Sequence, residues 1–128
     1  MTEHQLWHFL TDDDGIGLCG CGRPQEGARL VRDILNLCPL YDNRPAFETL
    51  IPHVGAQMLL LGLLDNAGLI EHGGGIGGSW LTEKGIEVRD SFATLSEEVI
   101  DEMFDNERTF GEAMNGCKIC QPDGAAGE

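Results

Sequence analysis

The sequence has no apolar run near the ~20 residues that a membrane-spanning helix needs. Its first ten residues, Met1–Leu10, have neither a basic start nor a long apolar stretch, so we expect no secretion signal and a cytoplasmic location. With 41% apolar and 23% charged residues over 128 positions, the composition predicts one folded domain with a single core. We therefore expect a soluble protein with no membrane partner.

Basic residues are scarce. The chain has 8 Lys and Arg against 22 Asp and Glu, which gives a formal net charge of −14. From Pro45 to Glu83 there is no Lys or Arg, although the same stretch contains Glu48, Asp65 and Glu71. Because phosphate neutralisation supplies most of the affinity for DNA, this charge balance argues against a nucleic-acid partner.

The five cysteines include two close pairs. Cys19 and Cys21 form the first pair and Cys117 and Cys120 the second, whereas Cys38 stands alone at the end of a helical pattern. A reducing cytosol disfavours disulfides, and two short thiolate pairs from separate segments suit tetrahedral Zn²⁺. We predict one structural zinc ion on these four thiolates, with an iron–sulfur cluster or a redox role for the second pair as alternatives. Cys38 is expected to be a small buried apolar residue rather than a ligand.

Helical periodicity fills the sequence between the cysteine pairs. Apolar residues recur at helical spacing over 25–38, and Pro39 ends the run. A short second helix is expected next, capped by Asp42 or Asn43 and ended by Pro52.

A third helix and a hairpin follow. The helix is expected over 54–67, with Gly68 as its C-terminal cap. Segments 69–72 and 79–81 then predict two short strands joined by a mobile, glycine-rich loop, and Thr82 caps the next helix.

The last predicted helix begins after Ser96 and leads into the second cysteine pair. In the last two helices the apolar residues are expected to face inward: Ile86, Val88, Phe92, Leu95, Ile100, Met103 and Phe104. We divide the chain into an N-terminal helix with the first pair (1–23), a core (24–95), a C-terminal helix with the second pair (96–120) and a disordered tail (121–128), all within one compact domain.

Two family resemblances appear in the core. Leu63–Glu71, a loop and then Trp80–Gly85 resemble the recognition-helix end, wing and exit of winged helix-turn-helix regulators. That resemblance covers about 25–95 and implies a mainly α fold with a small β-hairpin. Cys19–Pro24 and Gly77–Thr82 together resemble small proteins of actinobacterial phages whose function is generally unassigned. This second resemblance implies a location in the host cytoplasm.

The predicted third helix differs from a DNA-reading helix. Residues 58–64 are apolar around the whole helix, whereas a groove-reading helix keeps one polar face. We expect its second side to be covered by a protein partner, by a second copy of the chain or by the terminal segments. Gln57, Leu61 and Asp65, spaced four apart, are the candidate partner-binding face, and Met58 is expected to lie toward the core.

The sequence therefore predicts a zinc-stapled winged-helix protein that acts through protein–protein contacts, as a modulator of host machinery if a phage encodes it. We expect no enzymatic activity, because no catalytic pattern is present and Gly73–Gly78 lacks the Lys-Ser/Thr ending of a phosphate loop. One alternative is a DNA-binding transcriptional regulator that uses Arg23, Arg29, Arg32 and Arg44. Another is an acidic DNA mimic.

Overall fold

The computed structural model describes residues 1–12, 15–18 and 23–105. Over these residues the protein is mainly helical with one antiparallel sheet of two strands, as the sequence predicts. The helices are α1 (Glu3–Thr11), α2 (Pro24–Leu37), α3 (Arg44–Leu50), α4 (Val54–Asn66), α5 (Glu83–Ala93) and α6 (Glu97–Asp105). The strands are β1 (Ile70–Glu71) and β2 (Trp80–Leu81). Both cysteine pairs and the predicted tail at 121–128 lie outside the described residues.

Helix α1 begins at a capping box. The hydroxyl of Thr2 accepts the N–H of Gln5 at 3.1 Å, and the Gln5 side chain accepts the N–H of Thr2 at 2.8 Å. This reciprocal pair satisfies two backbone donors that the first helical turn leaves open. The helix then buries its apolar side, which consists of Leu6, Phe9 and Leu10.

Helices α3 and α4 meet at a sharp bend. Three residues, 51–53, separate them, and the two helices are bent by 105° relative to each other. The Nδ1 atom of His53 accepts the N–H of Ala56 at 3.3 Å and so caps α4. Within the described residues no single helix is long and apolar enough to span a membrane. The α3–α4 pair meets that test on length and composition, but only as a bent pair.

A single hydroxyl joins the end of α4 to the start of α5. Gly68, just beyond α4, has a φ of +81°, the left-handed conformation that glycine adopts at a helix C-terminus. The Thr82 hydroxyl donates to the carbonyl of Gly68 at 2.6 Å and accepts the N–H of Gly85 at 3.0 Å, so the predicted cap is confirmed. Between these anchors the sheet pairs Ile70 with Leu81 and Glu71 with Trp80. A Cβ on Gly85 would collide with the Leu69 carbonyl, so this junction requires glycine.

The loop between β1 and β2 is held over its second half. Ile76–Gly78 forms one turn of 3₁₀ helix, and Arg44 Nη1 donates to the carbonyl of its middle residue at 3.1 Å. The N–H of Leu40 donates to the carbonyl of Ser79 at 2.9 Å. Among the glycines of this loop, only Gly73–Gly75 are exposed with no other part of the described fold near a possible Cβ. The segment expected to be one mobile loop is therefore tethered at its second half.

The orientations of α5 and α6 mostly follow the predictions. The Ser96 hydroxyl caps α6 by accepting the N–H of Val99 at 3.2 Å. Five of the residues expected to face inward are buried in α5 and α6: Val88, Phe92, Ile100, Met103 and Phe104. Leu95 lies beyond the end of α5 and is half-buried. Ile86 is instead 42% exposed, so its predicted orientation is wrong. Ile86 lies two residues before Val88, which places the two side chains on nearly opposite sides of a helix.

The chain divides into two compact units. The central unit is Leu30–Phe92, and the terminal unit combines Met1–Arg29 with Ala93–Glu128. The buried apolar residues of the central unit are Val31, Ile34, Leu35, Leu40, Phe47, Ile51, Leu61, Leu64, Ala67, Leu69, Ile70, Val88 and Phe92. Those of the described part of the terminal unit are Leu6, Phe9, Leu10, Ile16, Ala28, Ile100, Met103 and Phe104.

Candidate functional site

The predicted zinc ligands are not among the described residues. Cys19, Cys21, Cys117 and Cys120 all fall outside them, so the zinc site stays a prediction. Within the part of the chain that the structure describes, no group of three or more His, Cys, Asp or Glu side chains could hold a metal ion.

Cys38 is half-buried at the end of α2. Its Sγ atom lies 3.5 Å from the carbonyl oxygen of Ile34, to which the thiol donates. Burial raises the pKa of the Cys38 thiol to about 11, and the charge of Arg89 lowers it only in part. Cys38 therefore carries a protonated, weakly reactive thiol at neutral pH.

Helix α4 turns the candidate partner-binding face inward. Leu61 is fully buried and Gln57 is 4% exposed, and the amide of Gln57 donates to the carbonyl of Ile51 at 2.7 Å. The expected outward orientation of these two residues is therefore wrong. The physical reason is a tertiary contact, because the carbonyl of Ile51, the residue that follows α3, is buried and needs a donor in the interior. Gln57 supplies that donor, so its polarity does not mark a solvent-facing side.

The opposite side of α4 is apolar and exposed. Leu59 is 77% exposed, Met58 43% and Leu63 38%. Met58 was expected toward the core, so that orientation is also wrong. We call this side the outer face of α4, and it comprises Gly55, Met58, Leu59, Gly62, Leu63 and Asn66. These six residues carry no charge, and Asn66 is the one polar side chain among them, so the outer face gains contacts mainly by burying apolar surface.

Asp65 lies at the edge of the outer face, near the C-terminal end of α4. Its side chain is 40% exposed, and its Oδ2 atom is 3.9 Å from Nε2 of His72. Helix α4 has no basic residue in its last turn. The negative end of the helix dipole therefore adds to the Asp65 carboxylate.

An apolar groove also lies between α2 and α3. It is an open groove of about 400 Å³ lined by Asp33, Asn36, Leu37, Ala46, Thr49 and Leu50. Its one charged lining residue, Asp33, accepts a hydrogen bond from Arg32 Nε at 2.9 Å. The groove thus presents apolar surface and one carboxylate that is already paired.

The four arginines proposed for DNA contact in the regulator alternative all pair with carboxylates. Arg32 contacts Asp33, and Arg23 contacts Glu26 three residues on. Arg44 Nη2 lies 3.2 Å from Glu48, while its other terminal nitrogen holds the loop carbonyl of Gly77. Each of these guanidinium groups therefore has an acidic neighbour that offsets its attraction for phosphate.

Arg29 is the most extensively bonded of the four. Its Nε donates to Glu97 at 2.6 Å and its Nη2 to Asp101 at 2.8 Å and to the Glu97 carbonyl at 3.0 Å. Hydrogen bonds to the two carboxylates raise the pKa of Arg29. This side chain ties α2 to α6 inside the terminal unit, which is a structural role.

No protein-family model matches the chain, and no curated protein or solved structure is significantly similar to it.

Proposed function

We propose that the protein is a non-catalytic interaction module that docks onto another protein through the outer face of α4. The observation that carries this proposal is the exposure of Met58, Leu59 and Leu63 on one side of a helix whose other side is buried. Exposed apolar patches of this kind mark interaction surfaces on soluble domains. A charge-free helix face favours a protein over a nucleic acid as the ligand.

The proposal includes a winged helix-turn-helix architecture for the central unit. A helix-turn-helix joins two helices at about 90–120° through a turn of three or four residues. The 105° bend between α3 and α4 and their three-residue turn agree with this, and the β1–β2 hairpin follows in the position of a wing. Helix α4 would then be the recognition helix, used here for protein rather than for DNA.

Charge supports this choice over the DNA-binding regulator. The net charge is −14, and α4 and its flanking segments contain no Lys or Arg from Pro45 to Glu83. Arg32 and Arg44, two of the arginines that the regulator alternative would use to contact DNA, have carboxylate partners. Because DNA affinity depends on neutralising phosphates, a recognition helix of this composition is a poor DNA ligand.

The zinc staple on Cys19, Cys21, Cys117 and Cys120 is a further part of the proposal. The described residues beside the first cysteine pair belong to the terminal unit. Helix α6, which precedes the second cysteine pair, belongs to the same unit. Four thiolates at a single centre would hold the two segments together when the ion is bound. Zinc is proposed as a structural ion, and the partner as a host protein if a phage encodes the chain.

Elemental analysis of the purified protein tests the proposed zinc site. We expect about one zinc per chain, lost in Cys120→Ala and kept in the control Cys38→Ala. Equal metal loss in the two variants would contradict the ligand assignment. Iron with visible charge-transfer absorption would select the cluster instead.

A matched pair of charge insertions tests the interaction surface. Leu59→Glu should abolish capture of a specific partner from actinobacterial lysate, while Ile86→Glu on α5, at an apolar side chain that is 42% exposed, should leave capture intact. Both variants should keep the melting temperature of the unchanged chain, because neither side chain is buried. Salt-dependent binding of the unchanged protein to labelled duplex DNA, retained in Leu59→Glu, would instead support the regulator.

A further inference from the structure

Gly62 lies in the middle of the outer face of α4. Its φ is not in the left-handed region, and apart from its two chain neighbours and the backbone of α4 itself no described atom lies within 4 Å of the position that a Cβ would take. Glycine in a helix interior costs about 1 kcal/mol relative to alanine. Neither backbone conformation nor packing among the described residues requires glycine at this position. A contact made by the outer face with another molecule would require it.

The outer face has the geometry of two adjoining holes for side chains of a second helix. In helix–helix packing a side chain enters a hole formed by residues i, i+3, i+4 and i+7 of the facing helix. Two sets on α4 have this spacing, and both contain Leu59 and Gly62. The first set is Gly55, Met58, Leu59 and Gly62, and the second is Leu59, Gly62, Leu63 and Asn66. Because glycine has no side chain, both holes are open at the corner that Gly62 forms.

The charge beside these holes is negative. Asp65 lies next to Asn66 at the C-terminal end of α4, where the helix dipole is also negative and the last helical turn holds no basic residue. The imidazole of His72, 3.9 Å from the Asp65 carboxylate, is its described basic neighbour, and it leaves the carboxylate 40% exposed. A second copy of the chain would bring another net charge of −14 to the contact. A Lys or Arg on an incoming helix would instead meet a favourable potential at this end.

We propose that the outer face of α4 binds a cationic amphipathic helix of a partner protein, with a large apolar side chain seated over Gly62 and a Lys or Arg beside Asp65. This assignment rests on the proposed function and names the kind of partner that it needs. It gives Gly62 a role that the described fold does not, since a side chain there would close both holes.

Synthetic helices of about 18 residues, or five turns, are the probes. One peptide has a Leu and Phe stripe flanked by Lys, a second has Glu in place of Lys, and a third keeps the Lys content but scrambles the stripe. We expect the first to bind the full chain and the other two to bind at least about tenfold more weakly. Equal binding of the scrambled peptide would mean general charge attraction and would overturn the proposal.

Substitutions on α4 locate the binding. Gly62→Leu should weaken binding of the Lys-flanked peptide at least about tenfold without lowering the melting temperature, because its side chain meets open space. Gly62→Ala should weaken binding less while raising the melting temperature. Asp65→Asn should weaken binding about threefold, and added salt should remove that difference. Thr49→Glu, which alters the α2–α3 groove, is the control and should bind as the unchanged chain does.

The outcomes separate the two proposals. Loss of peptide binding in Leu59→Glu with full binding in Gly62→Leu would overturn the proposal that a side chain of the incoming helix sits over Gly62. The proposal that the outer face is an interaction surface would still hold. Full binding in Leu59→Glu would overturn the surface itself. Concentration-dependent dimerisation that Gly62→Leu abolishes would identify a second copy as the occupant and overturn the cationic partner.

Discussion

Helices α4 and α6 both bury one side, but they differ on the other. In α6 the buried residues Ile100 and Met103 are backed by exposed glutamates at 97, 98 and 102. In α4 the side opposite Leu61 presents Leu59 and Leu63 to solvent. Folding thus leaves no large apolar side chain of α6 exposed among its described residues, whereas in α4 it leaves several.

The same contrast extends to the units that contain these helices. Every large apolar side chain exposed in the described part of the chain belongs to the central unit: Tyr41, Val54, Met58, Leu59, Leu63, Trp80 and Ile86. The described part of the terminal unit instead keeps its large apolar side chains buried or half-buried and ties α2 to α6 through Arg29. The exposed apolar surface on which the proposed docking depends is therefore found in the central unit.

The largest expected effect contrasts the two sides of α4. Leu61→Ala should lower the free energy of unfolding by about 2–5 kcal/mol, because it removes a fully buried side chain and leaves a cavity. Leu59→Ala on the outer face should change it by less than about 0.5 kcal/mol. Urea titration measures both, and similar losses in the two variants would contradict the assigned orientation of α4.

A smaller effect concerns the polar residue on the inner side of α4. Gln57→Leu should cost about 1–3 kcal/mol, since it leaves the buried carbonyl of Ile51 without its donor. The control is Thr49→Val, which removes the hydrogen bond that the Thr49 hydroxyl donates to the carbonyl of Pro45. This carbonyl is exposed, so water can bond to it in the variant. If thermal melting shows the same cost for both variants, the Gln57 bond is not buried as described.

The smallest expected effect lies in the terminal unit. Arg29→Gln should destabilise the chain by on the order of 1 kcal/mol, and salt should reduce the loss, because Glu97 and Asp101 are about half exposed. Arg23→Gln, whose pair with Glu26 is largely exposed, should cause no measurable change. A loss in Arg29→Gln that high salt leaves undiminished would mean that the side chain acts through packing instead.

Sequence reasoning succeeded where local chemistry decides the structure. Proline, capping hydroxyls and a C-terminal glycine mark the ends of helices directly, so α2 was predicted to within one residue at each end and the Thr82 and Ser96 caps were correct. The inward side of α6 was predicted because charged and apolar residues alternate there with helical period.

The orientation of α4 could not be predicted in the same way. A helix that is apolar all round carries no periodic signal, so the four-residue spacing of Gln57, Leu61 and Asp65 shows that they share a face but not whether that face points outward. Gln57 is buried because a carbonyl at the end of α3 requires its amide, which is a tertiary condition that sequence spacing does not contain. The one local sign of the outer face was Gly62, a helix-weakening residue in an otherwise strong helical segment.

The anchoring of the hairpin has a consequence for how this chain can vary. Thr82 fixes the strand ends to α4 and α5, and Arg44 fixes the second half of the loop, so neither anchor depends on Gly73–Gly75. Extra residues inserted there would lengthen an exposed connection at a small entropic cost, about 0.6 kcal/mol per doubling of loop length. These three glycines are thus a natural insertion point, where a tag or a fluorescent label can be added without disturbing the proposed docking surface on α4.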